Sequence, residues 1–216
     1  MRTMEADLLI FDLDGTLVSS GGDIAASVNA TLRRLSLPER PVEEILRFVG
    51  DGVRVLIERS LGGLDGGRFD EALEYFGTHY REHMLDTTRP YPGIEEALRH
   101  FAGKRKVILT NKRHSFALPI AEALGLTGHF DEVIGADSTP FIKPDPRLLD
   151  LVTRRFGVSP GRTAVIGDGV NDVLLAQNGG ALSCAYLKGL TPREKLLALR
   201  PDRTYEDPAE LVTLIR

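Results

Sequence analysis

The chain has 216 residues, of which 42% are hydrophobic and 27% charged, and its 27 Lys and Arg against 31 Asp and Glu give a formal net charge of −4. These values are typical of a globular protein with room for one domain, or for one domain that carries a small second one. No apolar run approaches the ~18 residues that cross a bilayer, no basic block is present and Trp is absent, so we expect neither a membrane nor a nucleic-acid partner.

The first apolar run, residues 8–11, ends at Asp12. It is far shorter than the apolar region of a secretory signal peptide. The single cysteine, Cys184, cannot form a disulfide within the chain. We therefore predict a cytoplasmic protein.

Five short runs rich in Val, Ile and Leu predict buried parallel strands, because continuous apolar stretches are typical of strands covered on both faces. They lie at residues 7–11, 106–110, 132–135, 163–167 and 182–187. Helical periodicities separate the later runs, at residues 94–101, 120–124 and 148–156. This alternation predicts an α/β fold with an open, Rossmann-like parallel sheet.

The stretch between the first two predicted strands breaks this alternation, because it contains four helical patterns and no convincing strand. Segments rich in Ser, Gly, Thr and Pro flank it at residues 19–22 and 87–93, and their composition is typical of linkers and turns. We predict a small all-helical cap domain, residues 17–89, inserted into a core domain formed by residues 1–16 and 90–216. Such a cap can open and close on its two linkers.

Polar side chains follow four of the predicted strands. They lie in residues 12–16 (DLDGT), at Thr110 and Asn111, at Lys143, and in residues 168–172 (DGVND). Because ligands of open α/β sheets bind at the carboxyl ends of the strands, we expect these segments to form one site.

Four carboxylates are expected to converge there. Asp12 and Asp14 are two residues apart, so an extended backbone directs both to one side. If Asp168 and Asp172 join them, each pair at ~4 Å repels by about 4 kcal/mol at an effective dielectric of 20, and the site requires cations. Oxygen ligands without nearby His or Cys suit Mg²⁺ rather than zinc. We therefore predict a Mg²⁺ site formed by these four aspartates.

The same residue types suit phosphoryl transfer. An aspartate that is ionised at neutral pH, such as Asp12, is a nucleophile without a partner base. Asp14 can protonate the leaving oxygen and later deprotonate the attacking water. Thr110 and Lys143 are suitable donors to the phosphoryl oxygens. We assign Thr16 and Asn111, in the same segments, to substrate binding.

Residues 11–16 (FDLDGT) resemble the first motif of the haloacid dehalogenase-like (HAD) superfamily. Thr110, Lys143 and residues 168–172 match its second, third and fourth motifs in order. The resemblance implies that the first Asp is phosphorylated and that the second is the acid and base. It also implies that the fourth-motif acids bind Mg²⁺ with the first Asp and a backbone carbonyl of the second. A helical insert after the first motif resembles the family's first type of cap, which closes over small substrates.

Within the superfamily, the chain is similar to the phosphoglycolate phosphatases. This similarity lies in residues 48–59 (FVGDGVRVLIER), 91–93 (YPG), 110–112 (TNK) and 143–144 (KP). The dehalogenases lack an acid at the position of Asp14, so phosphate chemistry is favoured. Gly169 departs from this branch, which usually has Ser there. The resemblance implies 2-phosphoglycolate as the substrate.

One loop of the predicted cap suits an anion. Gly50 and Gly52 precede a predicted helix at Val53, so backbone N–H groups can point at a negative charge. Arg54 adds a guanidinium. We predict that Gly50, Gly52 and Arg54 bind the non-phosphate end of the substrate, such as a carboxylate.

Other functions fit parts of the sequence. Residues 79–83 (HYREH) match the H-x-x-E-H pattern of zinc peptidases, in which His79, Glu82 and His83 would be the functional residues. A phosphosugar mutase or a pyrophosphatase would share the core, and a binding module on this fold would not need Asp12. Release of inorganic phosphate separates a phosphatase from a mutase.

Overall fold

The computed structural model describes residues 3–63 and 66–216; residues 1 and 2 of the predicted core and residues 64 and 65 of the predicted cap lie outside this part. The strands are β1 (Leu8–Phe11), β2 (Val18–Ser19), β3 (Arg89–Pro90), β4 (Arg105–Leu109), β5 (Glu132–Ile134), β6 (Thr163–Gly167), β7 (Leu182–Tyr186) and β8 (Arg203–Tyr205). The helices are α1 (Gly21–Arg34), α2 (Val42–Leu46), α3 (Val53–Leu61), α4 (Gly66–His83), α5 (Ile94–His100), α6 (His114–Ala123), α7 (Pro146–Phe156), α8 (Val170–Gly179), α9 (Arg193–Ala198) and α10 (Leu211–Leu214).

Six strands form a parallel sheet in the order β5-β4-β1-β6-β7-β8. The strand β1 lies between β4 and β6, and all four of its residues are buried. Leu9 and Phe11 pack on the side of α5 and α6, whereas Leu8 and Ile10 pack on the side of α7 and α8. The predicted α/β fold with an open parallel sheet is therefore confirmed. The chain first adds β4 and β5 on one side of β1 and then adds β6, β7 and β8 on the other side. Folds of this kind bind ligands beside the strand at which the order changes, here β1.

The five predicted strands are present, each within one residue of its predicted bounds. The structure adds β8 at the sheet edge, with the sequence Arg-Thr-Tyr. Only its last residue is fully buried, so it lacks the apolar run by which the other strands were predicted. Strands at the edge of a sheet are often short and polar, because their outer side has no strand to pair with.

The two predicted linkers are more ordered than their composition indicates. Val18 and Ser19 pair antiparallel with Pro90 and Arg89, so β2 and β3 form a ribbon where the chain leaves and re-enters the sheet domain. The prediction of a linker through residue 22 was wrong, because α1 begins at Gly21. A Cβ on Gly21 would lie 2.9 Å from Leu46, which shows that the glycine permits close packing.

Four helices, α1 to α4, occupy the stretch between the ribbon strands, as the periodicities predict. Ile24 and Val28 of α1 and Phe76 and Tyr80 of α4 are buried in one hydrophobic cluster, which continues to Phe11 of the sheet. The division of the chain into a core and a cap domain that moves stays a prediction. Among the described residues, no helix has the length and apolar character required to cross a membrane.

Candidate active site

The carboxyl ends of the central strands bring the predicted acids together. Asp12 follows β1 directly, Asp168 follows β6, and Asp172 lies in the first turn of α8. Each contributes a carboxylate oxygen to a group whose atoms lie within 4.8 Å of one another. Asp168 and Asp172 are each 2% exposed, whereas the Asp12 side chain is 15% exposed. Asp12 is therefore the acid of this group that a substrate can reach.

Backbone and hydroxyl groups hold Asp168 in place. Its Oδ1 accepts a hydrogen bond from Thr16 Oγ1 at 2.7 Å, and its Oδ2 accepts one from the Leu190 N–H at 2.7 Å. Thr16 Oγ1 in turn accepts from the Asp168 N–H at 2.9 Å. Gly15 has a φ of +82°, and a Cβ there would lie 2.2 Å from Asp168 Oδ2. Glycine is thus required at residue 15 both by the backbone and by the close approach of this carboxylate.

Lys143, from the loop between β5 and α7, supplies the positive charge within the acid group. Its Nζ lies 2.9 Å from Asp12 Oδ1 and 2.6 Å from Asp172 Oδ1. Burial lowers the pKa of Lys143, but the carboxylates of Asp12 and Asp172 outweigh that effect and raise it above its ordinary value. Lys143 is therefore an ammonium at neutral pH.

The acid group as a whole is short of positive charge. Three carboxylates face one ammonium, so two negative charges are uncompensated when all are ionised. Burial raises the pKa of Asp168 to about 7, and the negative charge of Asp12 adds to this effect. Burial also raises the pKa of Asp172, although Lys143 opposes it. A divalent cation bound by carboxylate oxygens would relieve this repulsion, so the donor set fits Mg²⁺.

The side chain of Asp14 does not join this group, although it was predicted as a metal ligand. Lys112 Nζ lies 2.9 Å from its Oδ1 and 2.8 Å from its Oδ2, and Ser20 Oγ donates to Oδ1 at 2.5 Å. The backbone turns at Gly15, and these two partners hold the Asp14 carboxylate away from Asp168 and Asp172. Its position beside Asp12 suits an acid and base better than a metal ligand.

Thr16 and Asn111, predicted to bind substrate, make hydrogen bonds within the protein. Thr16 is bonded to Asp168, as described above. Asn111 Nδ2 donates to the carbonyl oxygens of Gly50 and Lys143 at 2.9 and 3.0 Å, and its Oδ1 accepts from the Lys143 N–H at 3.0 Å. The Asn111 amide therefore fixes the Lys143 loop and ties the Gly50 loop to the sheet. The geometry gives both side chains a supporting role.

A cavity of about 70 Å³ opens beside Asp12 and Asp14. Apolar side chains form most of its wall, namely Ile24, Val49, Val53, Leu56, Phe76 and Phe116. The polar side chains that line it are those of Asp12, Asp14, Tyr80, Thr110, Asn111 and Lys112. Thr110, predicted as a donor to the phosphoryl group, is thus placed at the cavity beside Asp12.

The predicted anion-binding loop is only partly at this cavity. Gly50 and Gly52 line it, with φ values of +122° and +90°. Arg54 is exposed instead, and its guanidinium carbon lies 4.8 Å from the centre of the Phe69 ring. Its position on α3 directs it toward α4 and away from Asp12, so the prediction that Arg54 contacts the substrate is not supported.

Two polar residues of the cavity were missed from the sequence. Lys112 was noted only as part of the TNK segment, and Tyr80, which lies in the apolar stripe of α4, was not singled out. The signal for Lys112 was its place two residues beyond Thr110, just after a strand end. Tyr80 carried no signal, because an aromatic residue in such a stripe is an ordinary core residue.

The zinc-peptidase pattern does not form a metal site. The rings of His79 and His83 stack on α4 with their centres 4.3 Å apart. His79 Nδ1 contacts Ser27 Oγ at 3.1 Å, and His83 Nδ1 contacts Asp86 Oδ2 at 2.8 Å. Within residues 3–63 and 66–216, the group of Asp12, Asp168 and Asp172 is the only one in which three His, Cys, Asp or Glu side chains lie close enough together to hold a metal ion. The described residues therefore do not support the zinc alternative.

Residues 6–180 match the sequence model of the haloacid dehalogenase-like hydrolase family. A phosphoglycolate phosphatase of Chromobacterium violaceum is 36% identical over 100% of this chain and 99% of its own. One from Haemophilus influenzae is 33% identical over 96% of this chain and 97% of its own. The similarity therefore covers both the sheet and the four helices after β2.

Solved structures show the same fold. A predicted phosphoglycolate phosphatase from Haemophilus somnus superimposes with a TM-score of 0.92 at 29% identity, covering 98% of this chain and 99% of the other. A haloacid dehalogenase-like family protein from Streptococcus pneumoniae superimposes with a TM-score of 0.87 at 24% identity, covering 97% of this chain and 98% of the other.

Proposed function

Because the chain belongs to the haloacid dehalogenase-like hydrolases, we propose that it is a Mg²⁺-dependent phosphatase that hydrolyses 2-phosphoglycolate through a phosphorylated Asp12. One observation carries the proposal. Asp12 lies at the boundary between a carboxylate group that suits a divalent cation and a cavity that also contains a second acid, Asp14. The nucleophile, the metal ligands and the proton donor of the proposed reaction would then belong to one residue cluster, which suits phosphoryl transfer.

The residues of the chain divide the chemistry between them. The Leu13 N–H donates to Asp12 Oδ1 at 2.8 Å, and Lys143 contacts the same oxygen, so the nucleophile is held in one orientation. The Asp12 carboxylate attacks phosphorus, a bond forms between them, and the bond from phosphorus to the ester oxygen breaks. In its protonated form, Asp14 gives its proton to that leaving oxygen and becomes the carboxylate that the second step uses.

The second step regenerates Asp12. The Asp14 carboxylate accepts a proton from water, whose oxygen attacks phosphorus and displaces Asp12, releasing inorganic phosphate. Mg²⁺, held by Asp12, Asp168 and Asp172, would neutralise charge on the phosphoryl oxygens. Thr110 and Lys143 lie where they can donate to those oxygens.

Two observations support 2-phosphoglycolate. The full-length relatives described above carry the name phosphoglycolate phosphatase. The cavity beside Asp14 is small and largely apolar, which suits a leaving group of few atoms.

The test is phosphate release by the purified protein with Mg²⁺. We expect selective hydrolysis of 2-phosphoglycolate over phosphoserine, hexose phosphates and pyrophosphate, and no hydrolysis by Asp12→Asn, because an amide is not a nucleophile here. Asp150→Asn, an exposed aspartate of α7 paired with Arg154, is the matched control and should retain full activity. Removal of Mg²⁺ by a chelator should abolish release.

Each other outcome points elsewhere. Hydrolysis of many compounds at similar rates would retain the phosphatase and exclude the substrate. Transfer of phosphate between sugar positions without release would identify a mutase. Undiminished hydrolysis by Asp12→Asn would contradict the phosphorylated intermediate.

A further inference from the structure

We propose that Lys112 and Tyr80 bind a carboxylate on the leaving group of the substrate and so determine selectivity for acidic over neutral phosphate esters. This inference rests on the proposed phosphatase function and deepens it. It moves the recognition of the substrate's acid group from the Gly50 loop and Arg54 to the loop after β4 and to α4.

The first observation behind this proposal is the position of Lys112 at the cavity. Among the described residues, it is the only Lys, Arg or His whose side chain lines the cavity beside Asp12 and Asp14. Its side chain is 8% exposed, so water screens it weakly. Burial lowers the pKa of Lys112, but the Asp14 carboxylate and the Tyr80 hydroxyl outweigh burial and raise it above its ordinary value. The cavity thus contains a permanent positive charge.

Tyr80 supplies a neutral donor beside that charge. Lys112 Nζ donates to the Tyr80 hydroxyl oxygen at 2.7 Å. Burial raises the pKa of the Tyr80 phenol to about 12, even though Lys112 acts in the opposite direction. The hydroxyl therefore keeps its hydrogen and, since its oxygen accepts from Lys112, it can donate that hydrogen to a substrate oxygen. An ammonium and a hydroxyl side by side are suited to the two oxygens of a carboxylate.

The distance from the reacting atoms selects the kind of acid. Asp14 must lie within hydrogen-bond distance of the ester oxygen in order to protonate it. Lys112 Nζ lies 2.8 Å from Asp14 Oδ2, so an ester oxygen that is hydrogen-bonded to Asp14 lies within about two hydrogen-bond lengths of Nζ. A carboxylate separated from the ester oxygen by a single carbon is then within reach of Lys112. Since Nζ contacts both oxygens of Asp14, the substrate can replace one contact while the other remains.

Neutral leaving groups gain nothing from this pair. A hydroxymethyl group in place of the carboxylate leaves Lys112 bonded to Asp14 and Tyr80 without a new charge partner. In a cavity with mostly apolar walls, the loss of a charge-assisted hydrogen bond costs more than it would in water.

The test compares 2-phosphoglycolate with 2-hydroxyethyl phosphate, which differ at the carboxylate alone. We expect Lys112→Met to lower the ratio of the two kcat/KM values by about 10- to 100-fold, mainly through KM for phosphoglycolate. Tyr80→Phe should lower the ratio by about 10-fold, because it removes a hydrogen bond from a neutral donor to the charged carboxylate. Lys188→Met, a substitution of an exposed lysine paired with Glu206, is the matched control and should leave the ratio unchanged.

Other results would overturn the proposal in distinct ways. If Lys112→Met lowers kcat/KM equally for both substrates, Lys112 only positions Asp14 and the phosphatase stands without this recognition site. If Arg54→Ala lowers the ratio and the Lys112 and Tyr80 variants do not, the acid is bound on α3. If Lys112→Met does not fold, the ratio of the two kcat/KM values is measured with Lys112→Arg and Tyr80→Phe instead. No phosphate release by the unchanged protein from any ester would overturn the proposed function itself.

Discussion

Thr16 is a buried hydroxyl that supports Asp168, one of the proposed metal ligands. It donates to Asp168 Oδ1 and accepts from the Asp168 N–H, so it fixes both the carboxylate and the backbone that carries it. Mutation of a group that orients a metal ligand typically lowers metal affinity by about 10- to 100-fold. The conversion of Thr16 from a predicted substrate contact to a support for Asp168 therefore has a measurable consequence.

We expect Thr16→Val to weaken Mg²⁺ binding by about 10- to 100-fold, because Asp168 loses its hydroxyl donor in a buried site. Thr16→Ser keeps the hydroxyl and should bind Mg²⁺ close to normally. Titration calorimetry with Mg²⁺ in the absence of substrate measures both. Equal affinities for Thr16→Val and the unchanged protein would show that the hydrogen bond does not orient the ligand.

Residues that follow strand ends, including Asp172 in the first turn of α8, could be predicted as site residues, whereas residues on the helices between β2 and β3 could not. Asp12 and Asp168 end adjacent parallel strands, so the topology alone brings them to one edge. Arg54 is one position into α3, and the rotation of that helix against α4 decides whether it meets the cavity or Phe69. That rotation depends on tertiary packing, which no local pattern in the sequence contains.

At the scale of elements, Asp23 joins the start of α1 to the chain that returns to the sheet. Its two carboxylate oxygens accept hydrogen bonds from the backbone N–H and the hydroxyl of both Thr87 and Thr88. Burial raises the pKa of Asp23, but these hydrogen bonds outweigh burial and lower the pKa below its ordinary value. The linker through residues 87–88 is thus fixed by one side chain 64 residues earlier.

We expect Asp23→Asn to lower the free energy of unfolding by about 2 to 3 kcal/mol, because the amide cannot accept from all four donors. Urea denaturation at neutral pH measures the difference, and Asp70→Asn at an exposed position of α4 is the control. An aspartate with a lowered folded pKa stabilises the fold above the unfolded pKa and loses that effect as the pH falls through its folded value. The stabilities of the two proteins should therefore begin to converge as the pH falls below about 4 and should meet below the lowered folded pKa of Asp23. A constant difference down to acid pH would exclude this charge as the cause.

Elements with a periodic pattern of hydrophobic residues could be predicted from the sequence. The two-residue strands β2 and β3, which form by pairing with each other, could not. Three of the helices after β2, namely α1, α3 and α4, have an apolar face, so their periodicity is visible in the sequence. The ribbon of β2 and β3 contains two residues in each strand and exists because the two ends of the helical stretch meet. Its pairing joins positions about 70 residues apart, which local composition does not report.

At the scale of the whole molecule, we expect the buried acids to couple metal binding to folding. Burial raises the pKa of Asp168 to about 7, against 3.8 for an ordinary aspartate. The folded state then holds this proton more tightly than the unfolded chain does. The contribution of Asp168 to stability is therefore complete below about pH 4 and is lost as the pH rises through its folded pKa.

We expect a fixed concentration of Mg²⁺ to raise the Tm more at about pH 8 than at about pH 5.5, because the ion binds ionised carboxylates and relieves their repulsion. Thermal unfolding with and without Mg²⁺ at the two pH values measures the difference. Asp168→Asn should show a small Tm increase at both. An equal or larger increase at the lower pH would contradict the coupling.

The burial of Cys184, in the centre of β7, determines how the protein responds to oxidants. The side chain is 1% exposed, and burial raises the pKa of its thiol far above the ordinary value. Thiolates rather than thiols react with oxidants and alkylating agents, so this cysteine is inert while the sheet is intact. The proposed nucleophile is a carboxylate, and carboxylates are not oxidised under such conditions. Hydrolysis by this protein should thus continue under oxidative stress that inactivates enzymes with a catalytic cysteine.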